Sequence, residues 1–205
     1  MGNELPQFLN LLWGNVSLFN GVKVTDIKFP DSFLNSFSGP RFGIQGLRQL
    51  LNIDKRPILM TALKPMGETS IDLAQMATTL VEGGIDVIKD DHNLANQVWA
   101  KWQERVETIS SAIEKANNQF GTNAIYAPSL NRPNDQLLLS AKFAKETGCK
   151  ALLILPGICG FDAMRSIADN DEIALPILSH PALLGSHVMN PNHGLSHAIT
   201  FATLV

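Results

Sequence analysis

From Arg56 onward the sequence alternates short apolar runs with longer amphipathic segments, and this rhythm restricts the fold more than any other feature. Residues 57–63 read as a strand. Residues 70–81 read as a helix, with Ser70 as N-cap and Gly83-Gly84 as the stop. A second strand follows over 85–89. Val98, Trp102, Val106, Ile109 and Ile113 recur at three- and four-residue spacing, which predicts a long helix over 98–120 ended by Gly121. The pattern continues with a strand over 123–128, a helix over 133–147, a strand over 149–155, a short helix over 161–168 and a strand over 174–178. A further helix is expected from residue 194 to the end. Five strand–helix units with near-continuous apolar strands predict an α/β fold: a parallel sheet whose faces are covered by crossover helices. Residues 1–55 break the rhythm with turn signals such as Asn20-Gly21 and Gly39-Pro40, and read as an irregular lead-in packed on the first units.

Composition narrows the partners. Sixteen Lys+Arg against nineteen Asp+Glu give a net charge of −3, with no concentrated basic surface for nucleic acid or an anionic membrane. The longest apolar run is the five residues 151–155, far short of the roughly 20 that a membrane span needs. Segment 8–19 is interrupted by Asn10, Gly14 and Asn15 and preceded by Glu4, so it does not read as a secretion signal. Cys149 and Cys159 are too widely spaced for a CxxC motif and read as buried free thiols. A reducing, cytoplasmic location is the expectation, and the Asn15-Val16-Ser17 sequon then carries no meaning.

In a parallel α/β sheet, ligands bind beyond the carboxyl ends of the strands. Those ends hold Lys64-Pro65, Lys89-Asp90-Asp91-His92, Pro128-Ser129-Leu130-Asn131, Pro156-Gly157 and Ser179-His180-Pro181. Four consecutive polar residues after Ile85-Asp86-Val87-Ile88 are hard to explain as packing. Period two puts Lys89 and Asp91 on one face. Asp91 is an oxygen ligand suited to Mg2+ and His92 a less usual one. A protonated Lys89 would repel a cation, so it joins such a site only as a neutral amine or an anion. The alternative is that Lys89 pairs with Asp90 or Asp91 in a solvated ion pair. Lys64 is a candidate acid/base or phosphate ligand, or else a surface lysine; His180 is a candidate proton carrier, or else a hydrogen-bonded rim histidine. His193 and His197 have helical zinc-ligand spacing, with His187 nearby, but no HExxH glutamate lies between them. No GxGxxG, P-loop or GxSxG motif is present.

Gly39-Pro40-Arg41-Phe42-Gly43-Ile44-Gln45-Gly46, Lys64-Pro65 and Gly83-Gly84-Ile85-Asp86-Val87-Ile88-Lys89-Asp90-Asp91-His92, in this order and spacing, resemble the large chain of ribulose-bisphosphate carboxylase (RuBisCO) and its RuBisCO-like relatives. The resemblance covers about residues 5–205. It implies a (β/α)8 barrel with Mg2+ at the end of strand two, held by Lys89 as a CO2-derived carbamate, by Asp91 and by the residue at position 92. That residue is a glutamate in true carboxylases and His92 here. It also implies that Lys64 moves protons at the enediolate stage, that Asn15 reaches the active site of a neighbouring subunit in a homodimer, and that His180 lies near a sugar-phosphate substrate.

Departures from the carboxylase pattern are Met66 where a second lysine is expected, Pro181 in place of a phosphate-binding arginine, and strand ends in Pro128-Ser129-Leu130 and Pro156. They argue against CO2 fixation. Lys-Asp-Asp-His, Pro-Ser-Leu and His-Pro most resemble the type that isomerises 5-methylthioribulose 1-phosphate. The nearest rival is the 2,3-diketo-5-methylthiopentyl-1-phosphate enolase of methionine salvage. Residues 1–55 would join an N-terminal domain to the barrel, and 56–205 would be its first five units, with strands six to eight missing. A closed barrel of this class takes about 250 residues. The expectation is therefore a fragment that is inactive alone; a half-barrel binding or dimerisation module, or a barrel completed by a separate chain, are the alternatives.

Overall fold

The computed structural model describes residues 4–205. The stretch expected to be irregular holds α1 (Leu5–Trp13), a 3-10 turn (Asn15–Leu18), β1 (Lys23–Val24), α2 (Asp31–Leu34) and α3 (Gly43–Leu51). Pro6 in the first turn suits the start of α1, where a missing N–H costs nothing. Gly14 ends it because any Cβ there would lie 2.2 Å from the Asn10 carbonyl oxygen.

Strands β2 (Met60–Leu63), β3 (Val87–Asp90) and β4 (Ile125–Ala127) pair in parallel, with Met60 opposite Val87 and Val87 opposite Ile125. Strands β5 (Leu152–Ile154) and β6 (Ile177–Ser179) form a second parallel pair. A parallel bridge from Ser129 to Leu153 joins the two groups, and the Leu130 N–H donates to the Leu153 carbonyl at 2.8 Å. The strands thus run parallel in the order β2, β3, β4, β5, β6, as the alternation predicts. Each is shorter than its apolar run, because only part of the run has a ladder partner.

Helices α4 (Ser70–Glu82), α5 (Trp102–Phe120), α6 (Asn134–Glu146) and α8 (Phe161–Ala168) follow β2 to β5 in turn, with the single turn α7 (Pro156–Cys159) before α8. Two helix starts differ from the sequence reading. Thr69, not Ser70, is the N-cap of α4: Thr69 is extended and its hydroxyl accepts from the Asp72 N–H, completing a capping box. Ser70 is the first helical residue and its hydroxyl is buried. Helix α5 begins at Trp102 rather than Val98, because the Asn96 side chain accepts the Trp102 N–H at 2.9 Å and Val98 stays exposed. The expected C-terminal helix is also replaced. After α9 (Gly185–Val188) comes β7 (Gly194–Leu195), which pairs in parallel with β1, then a π-helical turn (Ile199–Thr203). Gly194 permits this at φ +104°, where a Cβ would meet the His187 carbonyl oxygen at 2.0 Å.

Strand alternation divides the core. Ile88, on one face of β3, packs with Leu73, Ala77, Val106, Ile109 and Leu152 beneath the crossover helices. Val87, on the other face, packs with Ile125, Ala127, Ala151 and Leu51 of α3. A third cluster joins Phe8, Leu12 and Trp13 of α1 to Leu195 and Ile199. Burying each large side chain contributes about 1.5–3 kcal/mol. Cys149 and Cys159 are buried free thiols, and burial pushes Cys149 up to about 12. No helix among the described residues is long and apolar enough to cross a membrane.

Candidate active site

Lys89 and Asp91 continue the Val87 face of β3, above the cluster that α3 plugs. Lys64 follows β2 directly, and its Nζ lies 3.3 Å from Asp91 Oδ2. The Asp91 Oδ1 lies 3.3 Å from His92 Nδ1 and accepts the Asn93 N–H at 2.8 Å. His180 follows β6, and its N–H donates to the Ile154 carbonyl at 3.0 Å. Its ring stacks on His92, with centroids 4.4 Å apart and planes 10° from parallel. Residues from the ends of β2, β3 and β6 therefore meet in one place.

The electrostatics follow from partial burial. Burial alone would raise the Asp91 pKa, but the Asn93 N–H, Lys64 and His92 together outweigh it and hold the carboxyl below the usual range. Lys89 is half-buried, and desolvation, aided by Lys64, lowers its pKa against the opposing pull of Asp91 and Asp90. Its Nζ donates to the Asp90 carbonyl at 3.2 Å. His180 is lowered by burial, then by His92, Lys89 and Lys64. His180 Nδ1 accepts the Ala182 N–H at 3.2 Å, which assigns the proton of the neutral ring to Nε2.

Five of the residues singled out in the sequence are thus neighbours: Lys64, Lys89, Asp91, His92 and His180. Asn15 takes no part in these contacts and is exposed at the start of its 3-10 turn. The solvated ion pair considered for Lys89 is not what forms among the described residues: Asp91 pairs with Lys64, and Asp90 with Arg105. His193 packs at a tilt against Trp13 and His197 lies against Phe201, so two of the three histidines are held in separate aromatic contacts.

Asp90 was grouped by sequence with the polar strand end, yet it is fully buried on the Ile88 face. Its carboxylate accepts from Tyr126 Oη at 2.6 Å, the Ser129 N–H at 2.9 Å and Arg105 Nη2 at 3.2 Å. Arg105 was missed altogether. The signal was present, since Arg105 follows Trp102 by three positions on the apolar side of its helix, where an unpaired guanidinium has no place.

No group of three or more His, Cys, Asp or Glu capable of holding a metal ion occurs among the described residues. Asp91 and His92 supply two donors, and Lys89 is the third side chain at hand. The donor set fits a hard divalent cation on one condition, that Lys89 gains an oxygen. Its lowered pKa suits that chemistry, because the neutral amine is the form that adds to CO2.

The chain is similar to known proteins over almost its whole length. The family described as ribulose bisphosphate carboxylase large chain, catalytic domain, matches residues 43–204. The 2,3-diketo-5-methylthiopentyl-1-phosphate enolase of Bacillus velezensis is 34% identical over 202 residues, covering 98% of this chain and 50% of that protein. The crystal structure of a rubisco-like protein (MtnW) from Alicyclobacillus acidocaldarius superposes with a TM-score of 0.93 at 28% identity, covering 100% of this chain and 52% of that one. A dimeric archaeal Rubisco from Hyperthermus butylicus superposes at 0.89 with 31% identity, covering 96% and 47%. The chain spans about half the length of the curated relatives it matches. A family match over residues 43–204, on a parallel α/β frame that gathers Lys64, Lys89, Asp91 and His92, places this chain in the ribulose bisphosphate carboxylase large-chain family, among its RuBisCO-like members.

Proposed function

We propose that the chain carries the metal-binding part of a RuBisCO-like enzyme that enolises or isomerises a sugar phosphate such as 5-methylthioribulose 1-phosphate. The observation that carries this reading is the meeting of Lys64, Lys89, Asp91, His92 and His180 at the ends of β2, β3 and β6. On the same reading, residues 56–205 are the first five units of a (β/α)8 barrel, and residues 1–55 lead into it. The parallel order of β2 to β6 supports this. The activity is proposed for a barrel that includes the remaining units, and a homodimer fits the dimeric relative. Asn15 would then serve the neighbouring subunit's site.

Lys89 as a carbamate, Asp91 and His92 would hold Mg2+, which stabilises negative charge developing on the oxygens of an enediolate. Lys64 Nζ carries the proton taken from the carbon beside the substrate carbonyl. Asp91 holds that ammonium at 3.3 Å and so fixes where it points. His180, neutral at pH 7 and with its proton on Nε2, donates to a substrate oxygen. The stacked His92 ring keeps the His180 ring in one plane.

A second reading rests on the relatives' names. Several are 2,3-diketo-5-methylthiopentyl-1-phosphate enolases, which would use the same proton transfer on a diketone. The test is solvent deuterium exchange into each substrate, with Mg2+ and bicarbonate, by the full-length protein. Exchange next to the carbonyl of methylthioribulose 1-phosphate, lost in Lys64→Met, supports the first reading. Exchange only into the diketone moves the assignment to the second. Exchange into neither overturns both.

A further inference from the structure

The side chains that would hold the cation depend on a buried layer behind them. Asp90 stands between Lys89 and Asp91 but points the opposite way, into the core, and is fully buried, as is Arg105. Arg105 Nη2 donates to Asp90 Oδ2 and to the Ala95 carbonyl at 2.9 Å, and Nη1 donates to the Ala100 carbonyl at 2.8 Å. Tyr126 Oη donates to Asp90 Oδ1, and the Ser129 N–H to Oδ2. Trp102 Nε1 donates to the Ser129 carbonyl at 2.7 Å. One guanidinium and one carboxylate thus tie together the end of β3, the end of β4, the loop 91–101 and the first turn of α5.

We propose that Asp90, Arg105 and Tyr126 are positioning residues for a divalent-cation site on the opposite face of β3. In a strand, the direction of one side chain fixes those of its neighbours, because successive residues point to opposite faces. Three donors aimed at Asp90 hold the backbone of residues 89–91 in one twist, and so hold Lys89 and Asp91 side by side. Fixing the loop at Ala95 and Ala100 also fixes the turn that carries His92 and the Asn93 N–H. A salt bridge needed only for stability would not have to join four separate segments at this one strand end. Replacing such a buried pair by apolar residues often costs little stability, so its place beside the site is better explained by geometry than by stability.

This inference rests on the reading that Asp91 binds a divalent cation, and the experiment separates the two. Mn2+ binding to the full-length protein, with bicarbonate, is measured from the free-ion electron paramagnetic resonance signal, beside circular dichroism and thermal melting. Tyr126→Phe is the main variant, because it keeps the ring in place and removes one donor to Asp90. Arg105→Lys is the second, since it keeps the charge but cannot span Asp90, Ala95 and Ala100 together. The expected result is a native spectrum with Mn2+ affinity reduced about 10- to 100-fold. Native-like Mn2+ affinity in both variants, with Asp91→Asn abolishing binding, overturns the positioning role and leaves the cation site standing. No Mn2+ binding by the unaltered protein, or unchanged binding by Asp91→Asn, overturns the cation reading and the positioning role with it.

Discussion

Lys64 Nζ sits 3.3 Å from Asp91 Oδ2, so the ends of β2 and β3 are linked by an ion pair in which the carboxylate is buried and the ammonium is mostly exposed. Lys64 depresses the pKa of Asp91, and as a nearby cation it also depresses those of Lys89 and His180. Lys64→Met should therefore move all three upward. Titration by carboxyl and imidazole NMR is the check, and unchanged values for Asp91 would contradict the assigned pairing. In the proposed enolisation the same variant should lower the rate about 10²–10⁴-fold, the usual range for loss of a general acid/base.

In the proposed cation site Lys89 would be the carbamylated residue, and its lowered pKa favours this because the amine becomes neutral at lower pH than a free lysine. Incubation with 13C-bicarbonate should yield one carbamate resonance in the protein spectrum. Lys89→Arg should abolish it. Added Mg2+ should strengthen it, and removing the metal with a chelator should weaken it.

At the other end of β3, Arg56 grips Asp86 with two bonds of 2.6 and 2.7 Å, and the Leu59 N–H adds a third at 2.8 Å. The Arg56 guanidinium leads in lowering the Asp86 pKa, against the opposing effect of burial. A depressed carboxyl contributes stability that is fully present above its unfolded pKa of about 3.9 and is lost as pH falls through the folded value. Asp86→Asn should thus melt below the unaltered protein at neutral pH, and the gap should close below about pH 4. A gap that persists at lower pH would show that the charge is not what matters.

Leu73, a fully buried residue of α4, tests the packing of the helix layer. Leu73→Ala should cost about 2–5 kcal/mol in chemical denaturation, the range for a large-to-small change in a close-packed core. Leu139 lies on α6 but is largely exposed, and Leu139→Ala should change stability by no more than about 0.5 kcal/mol.

The parallel order of the strands was legible because apolar runs and amphipathic segments obey different periods, and glycines (Gly83, Gly121 and Gly148) mark the stops of α4, α5 and α6. Lys89 and Asp91 were legible together because strand alternation is a local rule. The same rule places Asp90 on the opposite face, but its partners were out of reach: Arg105 and Tyr126 are brought to it by the fold, 15 and 36 positions away. The start of α5 was misplaced because Val98 continues the helical spacing while the Asn96 side chain, which the spacing does not weigh, captures the Trp102 N–H. Strand β7 was read as helix because its two residues carry no signal of their own. They are strand only because β1 lies beside them.

That last pairing has a consequence in time. The Ser196 hydroxyl bonds the Thr25 carbonyl across 171 positions, next to the β1–β7 ladder and the cluster that seats α1 on Leu195 and Ile199. Closing so long a loop adds only about 0.6 kcal/mol for each doubling of length, but contacts of such separation form slowly. During synthesis, Phe8 and Trp13 leave the ribosome well before the residues that will cover them exist. Helix α1 is thus fastened only after residues 194–199 have been made.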